Sequence, residues 1–195
     1  GLEEKILDSS AMQRLRGIRQ LAVAYLVYPG ANHTRFEHSI GTLYLANKIC
    51  EELRLKEEKK EKIRLAALLH DIGHIAFSHE SEEVLKYKLG DHEKIGERII
   101  TKSEIADIIS EKFEPKEIAT LYKKPMGQII SSDIGADRMD YLLRDSHYTG
   151  VAYGVIDADR ICSTLKIKKN EIILTEGGLS AAESLLVARF TMFNT

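Results

Sequence analysis

The segment that most constrains this chain is a helix that ends in candidate ligands. Ala66-Ala67-Leu68-Leu69-His70-Asp71-Ile72-Gly73-His74 begins as a run of good helix formers and stops in an imidazole and a carboxylate, with a glycine close behind. Ile63, Ala66 and Ala67 lie one or two turns before His70, so the apolar face of the helix carries His70 toward the core. Adjacent polar groups at the end of a buried helix are costly to leave without partners. Two arrangements offset that cost. One is a hydrogen-bonded core histidine beside a helix-ending aspartate; the other is a bound cation that takes both as ligands. The rest of the chain reads as a frame around this point.

Leu2 to Leu21 reads as helical, with Ile6, Met12, Leu15, Ile18 and Leu21 at approximate helical spacing and a break near Ser9-Ser10. Its basic and amide groups, Gln13-Arg14-Leu15-Arg16 and Arg19-Gln20, read as a solvated face. Ala22 to Tyr28 is a short, locally extended connector closed by Pro29-Gly30. Thr34 with Glu37 is a capping-box pattern, which starts a helix running to about Leu55 with Ile40, Leu43, Ala46, Ile49 and Leu53 as its buried stripe. His38 and Arg35 fall in its first turn. Lys56 to Lys62 is a charged link and the first turn of the helix that ends at His70. Gly73 turns the chain and points His74 back. A helix from Glu80 to about Leu89 is expected next, then one capped by Asp91 that carries His92 and Glu93 to about Thr101. Ser103 caps a helix through Phe113, and Pro115 opens another. A further helix passes through Gln128-Ile129-Ile130.

Ser131 to Gly150 is the second informative stretch. As a helix it puts Asp137, Tyr141, Arg144 and Tyr148 on one face, flanked by Arg138 and Asp145, with Met139, Leu142 and Leu143 opposite. Such a face is either salt-bridged surface or the wall of a cleft for a metal and a phosphate, whose oxygens suit the guanidinium fork. Lys166 to Leu174 reads as a β-hairpin turning at Lys169-Asn170. The closing helix, Ser180 to Asn194, carries Arg189 and turns Leu185, Leu186, Phe190 and Phe193 inward. It ends without a stop signal, so further chain is expected at both ends. The fold class is mainly α: a compact helical bundle over residues 1–195, with one short hairpin at residues 163–175.

Composition narrows the function classes. A net charge of -2 gives no global basic field for nucleic acid. The two cysteines, Cys50 and Cys162, are too few for a disulfide framework or a cysteine-based zinc site and suit a reducing compartment. No apolar run reaches membrane-spanning length and no signal peptide stands out, so the expected location is cytoplasmic. His38, His70, Asp71 and Asp137 then form a mixed nitrogen and oxygen set on three helices. That set suits Mn²⁺, Fe²⁺, Ni²⁺, Zn²⁺ or Mg²⁺.

The ordered set Arg35-Phe36-Glu37-His38-Ser39, His70-Asp71-Ile72-Gly73-His74 with Phe77-Ser78-His79, His92-Glu93, and Asp137-Arg138-Met139-Asp140-Tyr141 with Arg144-Asp145 resembles the HD-domain superfamily of metal-dependent phosphohydrolases. Gln13-Arg14-Leu15-Arg16, Pro29-Gly30-Ala31 and Phe77-Ser78-His79 make it most similar to the deoxynucleotide triphosphohydrolase branch. The resemblance implies hydrolysis of dNTP to deoxynucleoside and intact triphosphate. It implies His38, His70, Asp71 and Asp137 as metal ligands. It puts Arg35, His79, Arg138, Tyr141 and Arg189 on the triphosphate, and His74 and His92 in the acid/base neighbourhood with Glu82 as an orienting carboxylate. It puts Gln20, Leu21 and Asp145 around the sugar. Arg138 stands where the family has a lysine, Met139 where it often has tryptophan, and Glu82 where it commonly has aspartate. A homo-oligomer, dimer or tetramer, and a nucleotide effector are implied as well. Two other readings remain open here: an HD phosphohydrolase for a nucleoside monophosphate or cyclic nucleotide, and a nucleotide- or nucleic-acid-binding regulator with a vestigial site.

Overall fold

The structure, a computed structural model, describes residues 1–77 and 90–193. The expected helix from Glu80 to Leu89, with His79 and Glu82, lies outside the described residues. Among those described, ten helices and one two-stranded hairpin follow in the order α1 (Leu2–Asp8), α2 (Ser10–Gln13), α3 (Arg35–Glu52), α4 (Glu57–Leu69), α5 (His92–Lys102), α6 (Glu104–Ser110), α7 (Pro115–Ala119), α8 (Ala136–Thr149), α9 (Ala158–Thr164), β1 (Leu165–Lys168), β2 (Glu171–Leu174) and α10 (Leu179–Phe193). The bundle and hairpin expected from the sequence are what is found. The strands pair antiparallel from Leu165–Leu174 to Lys168–Glu171. Lys169 and Asn170 both take positive φ, 50° and 67°, as a two-residue turn that matches strand twist requires.

The core is built around α4. Ile63 and every residue from Leu65 to Leu69 are buried, so apart from Arg64 the last two turns are apolar and pack centrally. Glu57 and Glu58 sit at its N-terminus, where the helix dipole favours them. Helix α3 packs along both α4 and α8, which brings its first turn against the end of α4 and the start of α8. The Thr34–Glu37 capping box is formed in both directions and fixes where α3 begins.

Several segments depart from expectation. The first helix is interrupted at Ser9, whose backbone is extended and whose hydroxyl caps α2 by accepting from the Met12 amide. A 3₁₀ turn over Arg14–Gly17 follows, and the chain then runs out to pair Arg19 with Thr34. The connector after Leu21 contains a 3₁₀ turn, Ala24–Leu26, and Pro125–Ile129 is likewise a 3₁₀ turn. In α3 the buried stripe is Phe36, His38, Ser39, Thr42, Leu45, Ala46, Ile49 and Cys50, while Ile40 points to solvent. The stripe follows the face that meets α4 and α8, and that face includes polar residues. In α10 Leu185 is buried, but Leu186 and Phe190 are exposed.

Candidate metal centre

Three helices converge on one buried point. His70 closes α4, and its Nδ1 donates to the Ala67 carbonyl at 2.8 Å. That bond fixes the tautomer and leaves the Nε2 lone pair facing Asp71 Oδ1 at 3.4 Å and Asp137 Oδ1 at 3.6 Å. This buried nitrogen accepts no hydrogen bond among the described residues. From α3, His38 turns Nε2 to within 3.1 Å of Asp137 Oδ1 and 3.7 Å of Asp71 Oδ2. From the first turn of α8 comes Asp137, the most open of the four. The ligand atoms of His38, His70 and Asp71 all lie within 4.8 Å of one another.

These residues fit a divalent cation. Donors about 2.1 Å from one ion stand roughly 3.0–3.4 Å apart, close to the spacings found. A buried imidazole nitrogen that faces two carboxylates yet hydrogen-bonds to neither is otherwise unexplained. Without a cation, the carboxylates dominate the imidazoles. Burial alone would lower the His38 pKa, but hydrogen bonds to Asp137 and Asp140 and the charge of Asp71 raise it to about 10. His70 is raised in the same way by Asp71 and Asp137 against its burial. Asp71 and Asp137 are both held well below the ordinary carboxylate range by these rings despite burial; Arg35 adds to the effect on Asp71. Metal binding must therefore displace protons.

The turn after α4 is held from two sides. Arg14 Nη1 donates to the His74 carbonyl at 2.7 Å, and Nη2 to that of Ile72 at 2.6 Å. Arg14 is thus a strut for the His-Asp turn and not part of a solvated face. A Cβ on Gly73 would lie 2.0 Å from the His92 carbonyl oxygen and 2.4 Å from the Gly96 amide nitrogen. Only glycine lets α5 approach this turn so closely. The approach stacks His92 on His74 with ring centroids 4.2 Å apart. His74 is buried with Nε2 3.4 Å from Asp71 Oδ1. Burial, with Arg35 and His92 nearby, lowers its pKa to about 4 against the pull of Asp71. His92 is more open and lines, with Glu93, Glu97 and Ser131, a cleft of about 130 Å³ that reaches His70, Asp71 and Asp137.

The remaining expected residues divide into groups. Arg35 is buried with Nη1 on Asp71 Oδ2, so its nearest anion is a candidate ligand. Arg138 pairs with the exposed Asp133. Tyr141 is half-buried between Arg138 and Arg189, with Arg189 in hydrogen-bonding reach of its hydroxyl. Leu21, Tyr141 and Asp145 line one pocket of about 200 Å³ with Tyr28 and Met192. Gln20 does not line it; its backbone amide donates to the His33 carbonyl at 3.0 Å. His79 and Glu82 lie outside the described residues.

Sequence reasoning assigns no site role to Asp140 or His33, reads Arg14 as part of a solvated face, and leaves Arg144 on a face that is either salt-bridged surface or cleft wall. Asp140 Oδ2 meets His38 Nδ1 at 2.7 Å, and Arg144 grips Asp140 with two bonds, Nε to Oδ2 at 2.9 Å and Nη2 to Oδ1 at 2.8 Å. A signal existed for Asp140: a ligating histidine usually gives its other nitrogen to a carboxylate, and Asp140 lies one turn after Asp137. His33 Nε2 meets Asp145 Oδ1 at 2.6 Å, and nothing local in the sequence announces that pair.

Residues 35–145 match the model of the HD domain, and residues 156–195 match that of an HD associated region. The chain belongs to the HD-domain family. The first match begins at Arg35 and ends at Asp145, so it spans all four candidate ligands. Among relatives of this HD domain, an uncharacterized protein of Methanocaldococcus jannaschii is 46% identical over 98% of this chain and 41% of its own length. A Dictyostelium discoideum protein named as a deoxynucleoside triphosphate triphosphohydrolase SAMHD1 homolog is 30% identical over 95% of this chain and 41% of its own. The crystal structure of a hypothetical protein from Aquifex aeolicus is 41% identical with a TM-score of 0.91, covering 100% of this chain and 55% of that one. That of a phosphohydrolase from Bacteroides thetaiotaomicron is 33% identical with a TM-score of 0.88, covering 99% and 49%. The chain spans about half the length of these relatives.

Proposed function

We propose that this HD domain hydrolyses deoxynucleoside triphosphates to deoxynucleoside and inorganic triphosphate, with a divalent ion held by His38, His70, Asp71 and Asp137. The observation that carries the reading is the buried meeting of these two imidazoles and two carboxylates, with His70 Nε2 turned into it. The bound ion supplies Lewis acidity toward phosphate oxygens and water. Arg138 and Arg189, whose charges both act on Tyr141, grip the triphosphate. The present partner of Arg138 is a surface carboxylate, which a phosphate readily replaces. Arg35 adds positive charge through Asp71, and His79 and Glu82 complete the phosphate and acid/base sets. His92, open to the cleft, delivers the proton to the departing sugar oxygen, while buried His74 holds Asp71 and backs the His92 ring.

The pocket of Leu21, Tyr141 and Asp145 takes the sugar, and Gln20, next to Leu21 in the chain, joins them in the sugar set. Leu21 offers no partner to a ribose hydroxyl, and burying an unpaired hydroxyl disfavours ribonucleotides. The name of the Dictyostelium relative supports this substrate class. The broader title of the Bacteroides structure supports a second reading, in which the substrate is another phosphoester such as a nucleoside monophosphate or cyclic nucleotide. Leu26, Val27, Val155 and Phe190, 71–77% exposed, support assembly into a homo-oligomer. Sedimentation with and without dGTP tests both that assembly and a nucleotide effector. The deciding experiment incubates the full-length protein with Mn²⁺ and each dNTP and separates the products, with Asp137→Ala as control. Deoxynucleoside and tripolyphosphate, abolished by the substitution, are expected. Release of orthophosphate from a nucleoside monophosphate, or opening of a cyclic nucleotide to the linear monophosphate, would instead favour the second reading.

A further inference from the structure

His38 is held from behind by residues outside the ligand set. Its Nδ1 meets Asp140 Oδ2 at 2.7 Å, so the ring turns Nε2 toward Asp71 and Asp137. Asp140 is itself buried and is gripped through both oxygens by the Arg144 guanidinium, one helical turn further along α8. A bidentate grip fixes the plane of the carboxylate as well as its position. A third element makes room for the pair. Gly41 lies one turn after His38 in the middle of α3, where glycine is the poorest ordinary choice for helix stability. A Cβ there would fall 1.8 Å from Asp140 Oδ1 and 2.4 Å from Arg144 Nη2. The glycine is thus matched to two side chains of α8.

We propose that Gly41, Asp140 and Arg144 form a positioning clamp that fixes the His38 ring and tautomer and presents Nε2 to the metal. The inference rests on the metal reading above. Asp140 accepts the Nδ1–H hydrogen bond, so the proton that an arriving ion displaces is the one on Nε2, and the lone pair falls there. Arg144 keeps Asp140 from rotating toward the cluster, where it would compete with Asp71 and Asp137. Gly41 sets the distance between α3 and α8 at which a histidine and an aspartate side chain just meet.

The test reads Zn²⁺ affinity by competition with a chelating dye, on the full-length protein and on Gly41→Ala, Asp140→Ser, Arg144→Lys and the Gly41→Ala/Asp140→Ser pair. Circular dichroism melts of each metal-free variant check folding. The expected result is Zn²⁺ binding weaker by about 10–100-fold in each single variant. In the double variant, Gly41→Ala costs little beyond Asp140→Ser, because the smaller side chain removes the clash. A second measurement does not depend on any variant folding. In the Zn²⁺-loaded wild type, two-bond ¹H–¹⁵N spectra should show the His38 proton on Nδ1. Folded variants that bind Zn²⁺ within twofold of wild type, or a proton on Nε2, would overturn the clamp and leave the metal reading standing. A wild type that binds no Zn²⁺ would overturn both.

Discussion

Two imidazole–carboxylate pairs tie the start of α3 to α8, and only one of them belongs to the candidate metal centre. His33 pairs with Asp145 at 2.6 Å, and His38 pairs with Asp140 at 2.7 Å, five residues on in one segment and five back in the other. All four side chains are buried or nearly so. The difference lies in the second ring nitrogen. That of His38 faces Asp71 and Asp137. That of His33 is buried with no hydrogen-bond partner among the described residues, and its ring stacks on Tyr148 with centroids 4.6 Å apart. Equal hydrogen bonds therefore serve unequal ends. One pair aims a ligand, while the other props Asp145 at the edge of the proposed sugar pocket.

The comparison breaks most visibly by deletion. His38→Ala should weaken Zn²⁺ binding by more than the roughly 10–100-fold typical of an outer-sphere change. His33→Ala should leave Zn²⁺ affinity within about threefold, yet cost about 2–4 kcal/mol of stability, because it strands a buried carboxylate. Chelator competition and urea melts on the two variants separate these effects. Equal losses of metal affinity would erase the distinction.

pH sharpens it next. With no cation, the His38 pKa rises from 6.5 to about 10, so its contribution to stability is complete below pH 6.5 and is lost as pH climbs through about 10. Asp137 is depressed below its ordinary 3.8, so its contribution holds above that value and is lost as pH falls beneath it. His74, lowered to about 4 by burial, makes stability rise with pH from about 4 to 6.5, so the metal-free protein should be most stable near pH 6.5, with a melting temperature lower by several degrees at pH 9. Added Zn²⁺ should reverse that trend above neutrality, because deprotonated rings bind the ion. Thermal melts across pH with EDTA or Zn²⁺ give the answer, and a melting temperature in EDTA that does not fall from pH 6.5 to 9 would contradict it.

The smallest effect belongs to charge pairs that water reaches. Lys62, which bridges Glu58 and Glu117 at the opposite end of α4, should cost less than about 1 kcal/mol as Lys62→Ala. A urea melt provides that scale for the two buried pairs, and a loss comparable to His33→Ala would remove the contrast between wet and dry charge.

Much of this was legible in the chain itself. The end of α4 at His70, the Thr34–Glu37 start of α3, the Asp91, Ser103 and Pro115 helix starts and the Lys169-Asn170 turn follow from local chemistry that acts within four residues. The same locality explains the misses. The first helix breaks at Ser9 because its hydroxyl and backbone find capping partners there. Leu186 and Phe190 stay outside because the stripe of α10 is set by what packs against it, which its own sequence does not contain.

The sequence by itself determined which residues are candidate cation ligands: His38 and His70-Asp71 sit at a helix start and a helix end that local rules predict, and Asp137 lies on the polar face of a stretch that reads as helical from Ser131, although its helix begins only at Ala136. Only the tertiary structure decided how they are aimed. Whether an imidazole presents Nδ1 or Nε2 depends on a carboxylate about 100 residues away, on the guanidinium that grips it, and on a glycine that leaves room for both. Hydrogen bonds in a low-dielectric interior act over about 3 Å and carry no trace of sequence separation.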